Sequence, residues 1–175
     1  MKSIVCGLIL LLAVACAKQE AFSPEENAGR QVATGVSIFE SKDSQNQWLL
    51  TADAVDFAEL KTATLKNPVL LLKQNGTDSA RVSGKTGTFD YDTKRVSIQG
   101  DARIDSFSDG AVLTTERFFY DVTKDRVWSD VKTVITRGTA KAVARGGIET
   151  DSKLVKIELK QQTTHVPKDA REFKK

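Results

Sequence analysis

The feature that most constrains the fold is a sentence of residues written four times over. It is clearest from Val82 to Ile104: a half-apolar segment through Val82 and Gly84 leads to Gly87 and Phe89. A polar turn from Asp90 to Lys94 follows, then a second alternating segment through Val96 and Ile98. The run Thr115 to Val127 repeats it, a looser copy spans Ala52 to Leu65, and another spans Gly146 to Val155. The matched positions Val55, Gly87, Phe118 and Ile148 are spaced by 32, 31 and 30 residues. A constant period in this range marks a repeat architecture in which one supersecondary unit cannot bury its apolar face alone. Each unit here is two strands and a turn, so the copies must stack.

From Val32 onward the apolar residues alternate at period two and are interrupted by clusters of Gly, Asp, Asn and Lys, the pattern of short antiparallel strands. No window carries a helical stripe. Asn75-Gly76 and Asp109-Gly110 are hairpin dipeptides, Asn67-Pro68 fits a strand entrance or edge, and Gly146-Gly147 a bend or bulge. Near the C-terminus the alternation predicts a strand over Leu154–Lys160. Regularly spaced short strands indicate a sandwich, barrel or jelly roll. The apolar phase includes Ile38, Leu50, Leu70, Leu72, Val82, Ile98, Leu113, Val134, Val143 and Ile157, opposite mostly Ser, Thr, Lys, Arg and Asp. One face of the strands is therefore dry and must be covered by a second layer. On periodicity alone, these side chains fill a protein core. The surroundings of Trp48 and Trp128 fit rim and core equally.

The N-terminus has the form of an export signal. Lys2 precedes an apolar run from Ile4 to Val14, shorter than the roughly 20 residues that a membrane span needs. The run ends Leu12-Ala13-Val14-Ala15-Cys16, which resembles a bacterial lipobox with Cys16 as the acylated residue; Ala13-Val14-Ala15 also fits an ordinary cleavage site. The expected organisation is a lipoprotein-type signal peptide over 1–15, a flexible tether over 16–33 anchored through Cys16, a β domain over 34–166 and a charged tail over 167–175. Cys6 and Cys16 are the two cysteines, so the domain itself has neither a disulfide framework nor a thiol nucleophile.

Charge and residue inventory exclude most chemistry. The net charge is +3 and basic residues alternate with acidic ones, whereas a nucleic-acid protein gathers its Lys and Arg into a patch. His165 is the single histidine and lies beside Pro167 in a charged tail, so neither a Ser-His-Asp triad nor a multi-histidine metal centre is expected. Asp90, Asp92, Asp121, Asp125 and Asp151 fall at turns, where a short carboxylate hydrogen-bonds its own backbone. Gly84-Lys85-Thr86-Gly87 lacks the frame of a phosphate loop. Neither an enzyme nor a cofactor is expected, and no nucleic-acid partner.

From about Gly35 to Val166 the chain resembles the LptC family of lipopolysaccharide export proteins. The resemblance rests on Ala52, Val55 and Phe57 followed by Asn67-Pro68-Val69-Leu70, and on Val82, Gly84, Gly87 and Phe89 followed by Gln99 to Ile104. Leu113-Thr114-Thr115-Glu116, Val131 to Gly138 and Arg145-Gly146 with Ile148 complete it. The resemblance implies an all-β chain forming one twisted jellyroll of stacked antiparallel strands, with an apolar lumen for the acyl chains of lipopolysaccharide. The lumen candidates are then Ile38, Leu50, Leu70, Leu72, Val82, Phe89, Ile98, Leu113, Phe118, Val134, Val143 and Ile157. It implies a non-enzymatic bridge between an inner-membrane transporter and an LptA-type protein. The N-terminal edge would meet LptF/LptG-type subunits, and the C-terminal edge strand the LptA-type partner. The implied place is the periplasmic side of the inner membrane in preference to the outer. Familiar members keep an uncleaved transmembrane helix, where this chain has a short run ending at Cys16. A structural lipoprotein docking an outer-membrane assembly partner and a soluble LptA-like bridge are the alternatives.

Overall fold

A computed structural model of the chain describes residues 31–42, 45–57 and 59–165. The signal segment, Cys16, the tether up to Arg30 and the tail from Val166 lie outside the described residues.

Fourteen strands and no helix make up the described chain: β1 (Val32–Lys42), β2 (Gln45–Asp56), β3 (Thr62–Lys66), β4 (Val69–Gln74), β5 (Thr77–Ser83), β6 (Thr86–Asp90), β7 (Arg95–Ser106), β8 (Val112–Asp121), β9 (Arg126–Ser129), β10 (Thr133–Arg137), β11 (Ala140–Ala144), β12 (Ile148–Thr150), β13 (Glu158–Leu159) and β14 (Gln162–His165). All pairings are antiparallel.

Long strands fold this ribbon into two facing layers. On one side of β2, residues 48–51 pair with β4 and residues 54–56 with β3. On one side of β7, residues 95–99 pair with β6 and residues 103–106 with β5. The first layer therefore carries β4, β5, β10, β11 and β14, the second β3, β6, β9, β12 and β13, and β2, β7 and β8 pass through both. Strands that change sheets at a bend are the corner device of β-sandwiches. This arrangement is a jellyroll, as the strand spacing and the resemblance predict.

The corners sit where the sequence offers Gly, Pro or an Asx residue. Asn67 adopts φ +48° before Pro68, and Gly100 and Asp101 adopt +77° and +53°. The Asn67 amide donates to the Lys85 carbonyl at 2.8 Å, and the Lys85 amide to Gln99 and Gly100 carbonyls at 3.0 Å. The corner is thus one hydrogen-bonded line through the β3–β4 corner, the β5–β6 corner and β7. A Cβ at Gly84 would lie 2.6 Å from Ile98 Cγ2 and 2.9 Å from the Gln99 carbonyl oxygen, so the bend needs glycine there.

The register realises the repeat. Val55 pairs with Leu65, Leu65 with Gly87, Gly87 with Ile98, and Ile98 with Phe118; one residue beyond the Phe119–Trp128 pair, Ser129 faces Ile148. All four matched positions lie on one row across the second layer. On the first layer Leu50, Leu70, Val82, Ile104 and Leu113 form the corresponding row. These rows and the flanking one of Ala63, Phe89, Val96, Tyr120 and Val127 are buried and meet in a single core. At about 25 cal/mol per Å² of apolar surface removed from water, this burial is the main force holding the layers together.

Three sequence expectations shift in the structure. Ile135 pairs with Leu113 and Ala142, continuing the inner row, while Val134 and Val143 pair with Thr114 and Thr163 on the outer face. Both phases of β10 and β11 hold apolar residues, so alternation does not distinguish the faces. The predicted strand Leu154–Lys160 is a loop as far as Ile157, with Leu154 at φ +55°. Finally, the second alternating segment through Val96 and Ile98 runs on as β7 as far as Ser106, past an irregularity at Gly100 and Asp101.

Candidate lipid site at the mouth of the sandwich

The interior between the layers is full. The void bounded by Leu70, Val82, Val96, Ile98, Phe118 and Val127 amounts to ≈ 10 Å³, about the least that a single water requires. Leu50, Leu72, Val82, Ile98, Leu113 and Phe118 each expose 2% or less and contact one another. Ile157 is half-buried against the core.

Open space begins at one end of the sandwich. A cleft of ≈ 660 Å³ is lined by Ile38, Phe39 and Glu40 of β1, Trp48 of β2, Phe89 of β6, and Tyr91, Lys94, Val122 and Thr123 of the turns. Trp48 from the first layer and Phe89 from the second approach to a ring separation of 6.0 Å at its floor. Tyr91 stands edge-on to Phe89 at 5.0 Å, an arrangement favoured by the ring quadrupoles. The Trp48 indole N–H donates to Glu40 Oε2 at 3.3 Å, which satisfies the one polar atom of a buried ring. Glu40, Trp48 and Val122 also line an adjoining polar pocket of ≈ 370 Å³ with Lys73, Asn75, Tyr120 and Ser152. The result is a continuous mouth with an apolar half and a polar half.

The turns that frame the mouth are two copies of one device. Asp90 Oδ1 accepts from the Thr93 amide at 2.8 Å, and Asp121 Oδ1 accepts from the Thr123 and Lys124 amides at 3.1 Å and the Thr123 hydroxyl at 2.7 Å. These hydrogen bonds hold both carboxyls below the usual carboxylate range. Each turn closes on a residue in the left-handed region, Lys94 at +53° and Asp125 at +46°. Burial, assisted by the Asp125 carboxylate, pushes the Tyr120 hydroxyl far above its ordinary pKa, so it stays neutral throughout the physiological range.

Of the twelve lumen candidates, the structure brings Ile38 and Phe89 to the cleft. The mouth residues Trp48, Tyr91 and Val122 were not among them. Their signal was present: Tyr91 and Val122 are apolar residues in otherwise polar turns, at the same place in successive repeats. Trp128, by contrast, is on the outer face, stacked on Phe119 at 5.1 Å with Arg126 and Arg95 over its ring at 4.7 and 5.3 Å. Arg126 forms a two-point pair with Glu149 at 2.6 and 2.7 Å, and Arg117 pairs with Asp130 in the same way.

Open strand edges flank the sandwich. Among the described residues β1 pairs only with β2, β14 only with β11, and β13 only with β12. Among the described residues no group of His, Cys, Asp and Glu is arranged to hold a metal ion, and no helix is long and apolar enough to cross a membrane.

No curated sequence matches the chain. Among solved structures it is similar to LptH from Pseudomonas aeruginosa, described as the LptA homologous periplasmic component of the conserved lipopolysaccharide transport device. The identity is 15%, covering 79% of this chain and 94% of that one, with a TM-score of 0.33. The family described as lipopolysaccharide-assembly, LptC-related, matches residues 8–166. That match takes in the whole described domain, and the chain belongs to the LptC-related family of lipopolysaccharide assembly proteins.

Proposed function

We propose that the protein is a non-enzymatic periplasmic component of lipopolysaccharide export that takes lipid A acyl chains between its two layers. The observation that carries this reading is the mouth of Ile38, Trp48, Phe89 and Tyr91, opening onto a predominantly apolar interior. Aliphatic side chains on facing sheets offer an acyl chain the same environment they offer each other, so a chain entering at Trp48 replaces core contacts with equivalent ones. The polar half of the mouth, with Lys73 and Asn75, accommodates a sugar headgroup.

The open edges support a bridging role. An edge strand carries unpaired N–H and C=O groups to which a further strand adds. In this reading β1 continues the periplasmic domain of LptF/LptG-type transporter subunits, and the C-terminal edge receives an LptA-type protein. Cys16 is the lipid anchor, on the periplasmic side of the inner membrane.

Photo-crosslinking with p-benzoylphenylalanine at Trp48 or Phe89, in cells exporting lipopolysaccharide, tests the conduit. Lipopolysaccharide adducts at these positions are expected. Adducts confined to the outward positions Lys85 and Lys156 would overturn the reading.

A further inference from the structure

The fourth copy of the repeat departs from the others in one place. The hairpin turns between β6 and β7 and between β8 and β9 each take four residues, whereas β12 and β13 are joined by seven, Asp151–Ile157. The turn begins as the others do, with the Lys153 amide donating to Asp151 Oδ1 at 3.0 Å. It then leaves the second layer. Thr150 still pairs with Val127, but two residues on, the Ser152 carbonyl accepts from the Ser79 hydroxyl of the first layer at 2.8 Å. The connection therefore crosses the end of the sandwich from one layer to the other and returns to β13.

Leu154 is its cork. The side chain is 5% exposed and belongs to the core, while Val155 beside it is 81% exposed. Leu154 sits at φ +55°, a region costly for a leucine, so burial must hold it there. The hydrogen bond from Ser79 that ties the connection to the first layer is a weak one. The Ser79 hydroxyl also lies 3.0 Å from the Leu72 carbonyl, and its one proton is shared between the two acceptors. A strained residue, a shared hydrogen bond and a surface loop describe a segment at the low-stability end of the fold.

We propose that Asp151–Ile157 is a removable strap that closes the sandwich on the C-terminal side of the mouth. Shut, it confines an amphiphile to the cleft of Trp48 and Phe89. Lifted, it joins that cleft to the row of Ile148 and Leu159 beside the C-terminal edge. The strap gates onward movement of a bound acyl chain and rests on the conduit reading above.

The test uses the full chain with purified lipopolysaccharide and p-benzoylphenylalanine at Phe89, before the strap, or at Leu159, beyond it. Ser79→Ala removes the latch, and Leu154→Asn removes the cork while keeping a residue that tolerates positive φ. Each is expected to raise the Leu159 to Phe89 adduct ratio about tenfold, because opening of a local segment sets the population that exposes the passage. An unchanged ratio with normal capture at Phe89 overturns the strap alone, whereas no capture at Phe89 overturns the conduit. Hydrogen exchange on the unaltered chain gives a second reading. The amides of Lys153 and Leu154 should exchange at least about tenfold faster than those of β7, and equal protection would overturn the proposal.

Discussion

Gly147 lies so close to Ser129 that a Cβ added to it would stand 2.0 Å from the Ser129 carbonyl oxygen. The same residue adopts φ +86°, and its amide donates to the Ala144 carbonyl at 3.4 Å. Backbone conformation and space therefore both require glycine where β11 of the first layer turns into β12 of the second. Gly147→Ala should destabilise the domain by about 3 kcal/mol, from strain and overpacking together. Gly110→Ala, also at positive φ but with nothing within 4 Å of the added Cβ, should cost about 1 kcal/mol. Urea unfolding of the two variants decides whether the clash or the dihedral dominates.

Phe118 and Phe119 are neighbours that do opposite work. Phe118 is 1% exposed on the inner row, and Phe119 is half-buried on the outer face between Arg117 and Trp128. Phe118→Ala should cost about 3–5 kcal/mol through lost burial and an unfilled cavity. Phe119→Ala should cost about 1 kcal/mol, the worth of an aromatic pair beyond its area. Chemical denaturation distinguishes them, and equal losses would mean the register of β8 is wrong by one residue.

Acid stability should depend on Asp121. Its pKa is depressed in the folded state, chiefly by the Thr123 side-chain hydrogen bond and then by the Lys124 amide. A depressed carboxyl contributes fully above its unfolded pKa of about 3.9, and the contribution is lost as pH falls through the lower folded value. Asp121→Asn should therefore lower stability at neutral pH and flatten its fall between about pH 4 and 2. A denaturant midpoint followed across that range measures the slope; an unaltered slope would sink the assignment.

The ion pair of Arg126 and Glu149 has good geometry but is worth little. Both side chains remain about a third exposed, at 38% and 33%. A double-mutant cycle should return about 0.5–1 kcal/mol, diminishing with added salt. A loss for Arg126→Ala much larger than that coupling would indicate that Arg126 acts mainly through its position over Trp128, which a second cycle with Trp128→Leu would reveal.

Much of the fold was legible because it is periodic. The spacing of Val55, Gly87, Phe118 and Ile148 found the row that crosses the second layer, and Gly, Pro and Asx residues found the corners. The mouth was harder to read. Trp48, Ile38 and Phe89 come from three strands whose sequence positions say nothing about which layer each one ends in. Val134 and Val143 were misplaced because β10 and β11 are apolar in both phases. The loop at Leu154 was missed because the alternation of Leu154 and Ile157 continues through it while the backbone does not.

By itself the sequence determined the unit, an alternating strand, a turn built on an Asp and a return strand, and the number of times it is stacked. It also left no multi-histidine metal centre, since His165 stands alone. Only the tertiary structure decided that long strands divide between two layers, that the interior between them is closed to ≈ 10 Å³, and that space remains at Trp48 and Phe89. The physical reason is that period-two alternation specifies a face, but not what covers it. The partner of each row is set by bends at a few corner residues, and the buried contacts made across the layers then fix which ends are filled and which stay open.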